Sequence, residues 1–423
     1  MRSRMNVTSS PSTEQLKASQ WIVLLAAGLG WLFDGYEIGL FPLLARPALK
    51  QILGGAGDGQ IGQWMGIITA FFLVGAAFGG VLFGYLGDRI GRVRSMALSI
   101  LVYSLVTGFG YFAQTPMHLA IIRGVSALGM GGQWALGVAL VMESWPERWR
   151  PILAGAMGAA ANVGFLLVGV TGKLHPVTPE SWRWMMIVAA LPALIAVFVV
   201  ALVPESEKWK ASAGSASKEG SAFAEIFGAR YRSRTLLGIT FASVSLIGTW
   251  GAVQWLPLWA DQLVEGTNPT AKADTQMVQA FGAIVGALIA PLLGARMGRR
   301  ASYFLLCLLS LVVCEAMFKV LTNFGPQFLI AAFVSSAVTA SFYGWFPLYF
   351  PELFPTRIRA TAQGLCYNSG RIFAAVGAVT QGELVRALGG SYAKAGSIVV
   401  LIYVLGLGLI WLAPETKGQA LPE

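Results

Sequence analysis

Twelve long apolar runs, separated by short polar turns, organise this chain. Six lie near residues 21–45, 61–87, 94–113, 117–143, 151–172 and 183–203. Six more lie near residues 234–261, 275–296, 301–321, 326–350, 359–386 and 396–413. Each reaches the roughly 20 residues that a helix needs to cross a hydrocarbon core about 30 Å thick. Barrel strands would instead alternate apolar and polar residues in segments of about ten. The pattern predicts an all-α membrane protein with twelve transmembrane helices in two six-helix bundles. Between the two sets lies one long polar stretch, Pro204 to Ser233, with Ala-Gly-Ser-Ala-Ser-Lys-Glu-Gly in its middle. This composition predicts a flexible linker carrying a short helix around Phe223 to Phe227. The expected plan is a cytosolic tail 1–20, a bundle 21–203, a cytosolic linker 204–233, a bundle 234–414 and a cytosolic tail 415–423.

Composition removes the soluble alternative. The chain is 56% hydrophobic and 12% charged, against about 25% charged in a typical soluble domain. Mean hydropathy is +0.65. The net charge of +10 does not point to nucleic acid, because the basic residues sit in short turns between apolar runs. Most fall on one side if both termini are cytoplasmic, as the positive-inside rule requires. Cys307, Cys314 and Cys366 all lie within apolar runs, where they read as small packing residues. Neither a cleavable apolar leader nor metal-ligand spacing around His118 and His175 is present, and no phosphate-binding glycine loop appears.

The halves repeat each other. Gly84-Tyr85-Leu86-Gly87-Asp88-Arg89-Ile90-Gly91-Arg92 after the second run matches Gly294-Ala295-Arg296-Met297-Gly298-Arg299-Arg300 after the eighth. Glu143, Arg148 and Arg150 after the fourth match Glu352, Arg357 and Arg359 after the tenth, and Pro204-Glu205-Ser206 echoes Pro414-Glu415-Thr416. Repeats around a midplane site are a common transporter architecture.

These motifs resemble the major facilitator superfamily over nearly the whole chain. Pro204-Glu205-Ser206 and Pro414-Glu415-Thr416-Lys417-Gly418 look like the ends of sugar-porter halves. Asp34-Gly35-Tyr36-Glu37 and the stretch from Pro351 through Tyr367-Asn368-Ser369-Gly370-Arg371 are similar to metabolite–proton symporters and organic ion transporters. The resemblance implies two pseudo-symmetric bundles that rock around a central site. It also implies a conformational latch at Gly84, Asp88, Arg89, Gly91 and Arg92, joined by Glu143, Arg150, Glu352, Arg357 and Arg359. Ala295 stands where the second copy would carry its acid, so that latch is expected to be weaker.

Four ionisable residues fall inside predicted spans: Asp34 and Glu37 in the first, Arg123 in the fourth and Arg371 in the eleventh. A charge at that depth costs roughly 2.5–3.5 kcal/mol on insertion scales, so each is a functional candidate. Asp34, Glu37 and Arg123 are the expected proton-coupling set, with Asp34 preferred as carrier. A fixed ion pair between Arg123 and one of the acids is the structural alternative. Arg371 is expected to fork onto an anionic substrate group. Further cavity candidates are Gln133 and Trp134, Asn162, Gln254 and Trp255, Tyr343 and Trp345, and Tyr367 with Asn368. Trp21, Trp182, Trp184 and Trp411 read instead as lipid-interface anchors.

The expected function is proton-coupled symport of a small organic anion, a carboxylate metabolite, by alternating access, with no enzymatic activity, metal or cofactor. A sugar or polyol carrier and an exporter of organic cations are the alternatives. A monomer in a bacterial inner membrane, contacting lipid, protons and a small-molecule substrate, is the expected setting.

Overall fold

The computed structural model describes residues 16–54, 58–175, 177–216, 222–264, 267–268 and 270–423. The N-terminal bundle comprises α1 (Ala18–Ile52), α2 (Asp58–Ile90), α3 (Arg92–Gly108), α4 (Pro116–Ser144), α5 (Arg150–Leu174) and α6 (Arg183–Ala190 and Ala193–Leu202). The C-terminal bundle comprises α7 (Arg232–Gly251 and Leu256–Val264), α8 (Ala271–Met297), α9 (Arg299–Val320), α10 (Pro326–Leu353), α11 (Arg359–Ala387) and α12 (Tyr392–Val400 and Ile402–Leu409). Among the described residues, eleven helices are long and apolar enough to cross a membrane; α11 is the twelfth. The fold is all-α, with twelve transmembrane helices in two pseudo-symmetric bundles.

The local reasons for these boundaries repeat between halves. α3 starts at Gly91 (φ 106°) and α9 at Gly298 (φ 94°), where positive φ favours glycine. Each helix then has its first N–H groups capped from far along the chain. Glu205 accepts from the backbone of Arg92 and Val93, both at 3.1 Å. Glu415 accepts from Arg299 at 2.9 Å and Arg300 at 3.1 Å. A carboxylate there satisfies orphan donors and complements the helix dipole. The Pro-Glu-Ser and Pro-Glu-Thr ends are thus helix caps.

Two elements differ from expectation. The segment between the bundles carries two short helices, Glu207–Ala216 and Ala222–Ile226. The first is pinned to the N-terminal bundle because Trp209 donates its indole N–H to the Asp88 carbonyl at 2.9 Å, a bond that composition does not disclose. Trp182 is fully buried and donates to Gln51 at 2.7 Å, so it is no lipid anchor; Trp21 and Trp411 are exposed.

The bundles meet along two seams, α2 against α11 and α5 against α8 and α10. A Cβ at Gly80 or Gly84 would run into Asn368 or the backbone at Ala360 and Thr361, and one at Gly158 would meet the backbone at Gly344. Small residues here set the approach of the halves.

Candidate functional site

α1 passes close to α5 at Gly35, whose missing Cβ makes room for the Ala161 backbone, and it carries two acids one helical turn apart. Glu37 is 2% exposed and fully engaged on one side. It accepts from an Arg123 guanidinium nitrogen, and Thr107 Oγ donates to the same oxygen at 2.6 Å. Arg123 also donates to the Glu37 carbonyl at 2.9 Å and stacks over Phe72 at 4.7 Å. A cavity of about 20 Å³, room for one water molecule, adjoins Arg123 and Thr107. The acid that pairs with Arg123 is therefore Glu37.

Asp34 is different. It is fully buried, and neither carboxylate oxygen has a hydrogen-bond partner. Among charged groups, Arg371 on α11 acts on it most strongly, ahead of Glu37 and Arg123. Arg371 lies 5.4 Å over the Tyr367 ring, buried, with one guanidinium nitrogen unbonded. An acid of one bundle and a base of the other thus lie within electrostatic reach, each with bonding capacity in reserve. Buried polar groups are nearly always satisfied, so this concentration of unpartnered groups makes the cluster the candidate site. The hydroxyls of Tyr103, Tyr343 and Thr249 are also buried nearby on α3, α10 and α7, Tyr343 beside Thr249 and Tyr103 beside Ser104. Tyr103 and Thr249 carry no distinguishing sequence signal, because each is one of several hydroxyl-bearing residues on its helix.

Rings close the space below this cluster. Tyr367 stacks on Trp134 at 4.3 Å, across the bundle interface, and Phe350 meets Trp134 edge-on at 6.1 Å. Asn368 donates to the Gly131 carbonyl at 3.0 Å, tying α11 to α4. Gln133 is buried between Gly30 and Ser99, with its amide nitrogen unbonded.

Other expected contacts lie elsewhere. Trp345 is fully buried against Tyr303 and Tyr349, donating to Ser302 at 2.9 Å, and belongs to the α9–α10 interior. Trp255 stacks on Tyr392 of α12 and bonds the Trp250 carbonyl. Gln254 is exposed where α7 breaks, and Asn162 is half-buried, bonding its own helix at Gly158.

On the face bearing the linker, Asp88, Arg92, Glu143 and Arg359 form one network. Asp88 accepts from Arg92 at 2.8 Å and from the backbone N–H groups of Ala360 at 3.2 Å and Thr361 at 2.8 Å. It thereby caps α11 of the opposite bundle. Glu143 accepts from Arg92 at 3.2 Å, from Arg359 of the other half at 2.8 Å and from Ser206 at 2.6 Å. The pseudo-symmetric copy is poorer: Glu352 binds Arg299 and Thr416, while Arg150 turns to Glu147 at 2.9 Å. Arg357 pairs with Glu225, and Arg89 is exposed, lying over Tyr85 at 5.3 Å.

Two bundles, a network of charges bridging them on one face and buried charges with unused bonding capacity between the halves are the features of a multi-pass membrane transporter. The sequence profile of the Major Facilitator Superfamily matches residues 21–275, and the chain belongs to that superfamily. A putative metabolite transport protein of Haemophilus influenzae is 31% identical over 97% of this chain and 100% of its own length. The cis,cis-muconate transport protein of Acinetobacter baylyi is 31% identical over 94% of both chains. The fold matches that of the proton:xylose symporter XylE, solved with 6-bromo-6-deoxy-D-glucose, with a TM-score of 0.80 at 19% identity, over 95% of this chain and 98% of that one. The protein is a secondary transporter.

Proposed function

We propose that this transporter couples protons to the uptake of a small organic anion, a carboxylate metabolite. The observation that carries the reading is the buried, unbonded Asp34 carboxylate of one bundle within electrostatic reach of Arg371 of the other, one of whose guanidinium nitrogens is unbonded. Ionised Asp34 is the counter-charge of Arg371. A proton on Asp34 removes that counter-charge and leaves the guanidinium fork to a substrate carboxylate, a charge-assisted and geometrically specific pairing. The Glu37–Arg123 pair beside it fixes α1 against α4. Trp134, Tyr343 and Tyr367 give the site aromatic walls, which suit a planar, unsaturated acid. The muconate carrier of Acinetobacter baylyi is a relative with such a cargo. Loaded, the bundles rock, the Asp88 and Glu143 network parts and the linker face opens.

The sugar reading draws on the Pro-Glu-Ser and Pro-Glu-Thr ends. Those acids cap α3 and α9 far from the site, so they speak to the latch and not to the cargo. A monomer in a bacterial inner membrane, with both termini cytoplasmic, completes the proposal.

Uptake into proteoliposomes, screened with muconate, benzoate, xylose and an amine at acidic and neutral external pH, tests it. Carboxylate uptake is expected to rise at acidic external pH and to collapse with a protonophore. Asp34→Asn should abolish accumulation. An Asp34→Asn variant that still accumulates a carboxylate with unchanged pH dependence rules out the proton role.

A further inference from the structure

α11 carries a third polar side chain on the face that holds Tyr367 and Arg371. Gln363, Tyr367 and Arg371 follow one another at four-residue intervals, so they line one side of the helix. Gln363 is 0% exposed, and neither its amide nitrogen nor its amide oxygen has a partner. Its neighbour Gly364 packs against the Gly80 backbone and Ala135, so this turn of α11 lies at the seam between the halves. Two residues earlier, Thr361 is held by Asp88. Gln363 therefore sits between two closures. On one side is the Trp134–Tyr367 stack, with Arg371 beyond it. On the other is the latch.

We propose that Gln363 is a second substrate station, met by the carboxylate or another polar end of the cargo after it leaves Arg371 for the linker face. The inference rests on the carboxylate reading of the Asp34–Arg371 site. Eight residues of helix separate Gln363 from Arg371, about 12 Å along the axis at 1.5 Å per residue. A polar group moving that far past Phe350 and the aromatic stack loses one set of partners before it reaches solvent. Gln363 offers two N–H donors and one carbonyl acceptor there. In the closed arrangement all of this capacity is idle, which disfavours an amide in that position. Idle capacity at a seam that must open is expected of a group whose partner arrives during transport.

The test is a sided one. Michaelis constants for cis,cis-muconate are measured from each face of oriented proteoliposomes holding wild-type protein, Gln363→Leu or Gln363→Asn. Leucine removes an unsatisfied buried amide, so Gln363→Leu is expected to fold and to melt no lower than wild type. Its KM from the linker face should rise at least fivefold, its KM from the opposite face should stay within twofold, and Gln363→Asn should lie between. Unchanged constants on both faces overturn the station. So does a rise on one face matched by an equal fall on the other, because that is the signature of a conformational bias alone. If wild-type protein carries none of the screened carboxylates, the underlying reading fails and the station fails with it. If wild type carries muconate and the leucine variant is unaltered, only the station fails.

Discussion

At the scale of single residues, Arg123 and Glu37 form a pair buried on both sides, and such pairs behave asymmetrically on mutation. Removing one partner strands the other charge, at a cost of about 3–5 kcal/mol, whereas replacing both with apolar residues is often neutral. Glu37→Gln should therefore lower the melting temperature in detergent strongly, and Glu37→Leu with Arg123→Met should recover most of it. Full stability in the single variant would show that the pair does not hold α1 to α4. Glu415 gives a pH-dependent counterpart outside the membrane. Partial burial pushes its carboxyl up, but the backbone N–H groups of Arg299, Arg300 and Lys417 outweigh burial and hold it below the ordinary value of 4.5. A carboxyl depressed on folding adds stability above its unfolded value, and that stability fades as pH falls through the folded one. The deficit of Glu415→Gln relative to wild type should thus be constant near neutrality and shrink as pH drops below 4.5, as read from melting curves. A deficit that persists unchanged into acid would remove this role. Asp34 and Arg371 were legible in the sequence because charge in an apolar run is costly enough to need a reason. The partner of Arg123 was not legible, because Asp34 and Glu37 share a helix face and only the rotation of α1 against α4 selects between them. Trp345 shows a similar ambiguity, since an indole in α10 suits either the cavity or the α9 interface, and the structure places it against Tyr303 and Ser302 of α9.

At the scale of elements, helix boundaries follow from apolar length and glycine turns, whereas long-range caps do not follow from local pattern at all. Glu205 and Glu415 reach α3 and α9 across more than a hundred residues of chain, and only the repeat between halves hinted at them. The C-terminal segment is another such element. Leu421 is 4% exposed within the core, and the Pro422 carbonyl accepts from Arg359 at 2.7 Å. Arg359 is the residue that crosses to Glu143, so the segment orients a latch arginine. Removing residues 419–423 should leave Arg359 short of one charge-assisted bond, a contribution of about 1.5–3 kcal/mol, and shift the balance toward opening at the linker face. A cysteine placed at Ala135, beside Gly364 at the seam, should then react several-fold faster with a thiol reagent added from the linker side. Equal labelling rates in the full-length and shortened proteins would mean that the segment only packs.

At the scale of the whole molecule, the latch charges and the central charges form two separate accounts. Among the described residues, the charged side chains buried away from the linker face are Asp34, Glu37, Arg123 and Arg371, two acids and two bases. Their sum is zero, and the low-dielectric interior favours keeping it so whenever the bundles close. A monocarboxylate seated on Arg371 adds one negative charge. One proton on Asp34 restores neutrality, and Glu37 is already committed to Arg123. The arrangement therefore calls for one proton per monocarboxylate, so that the loaded carrier moves no net charge. Benzoate accumulation in proteoliposomes should follow the pH gradient and ignore a potassium–valinomycin diffusion potential. A carrier moving one net charge would respond by about 2.3 kcal/mol per 100 mV, roughly fiftyfold in accumulation, far above assay scatter. Potential-driven accumulation of that size would require a second proton. Glu37 would then have to exchange it, and the Arg123 pair would be part of the transport cycle instead of its scaffold.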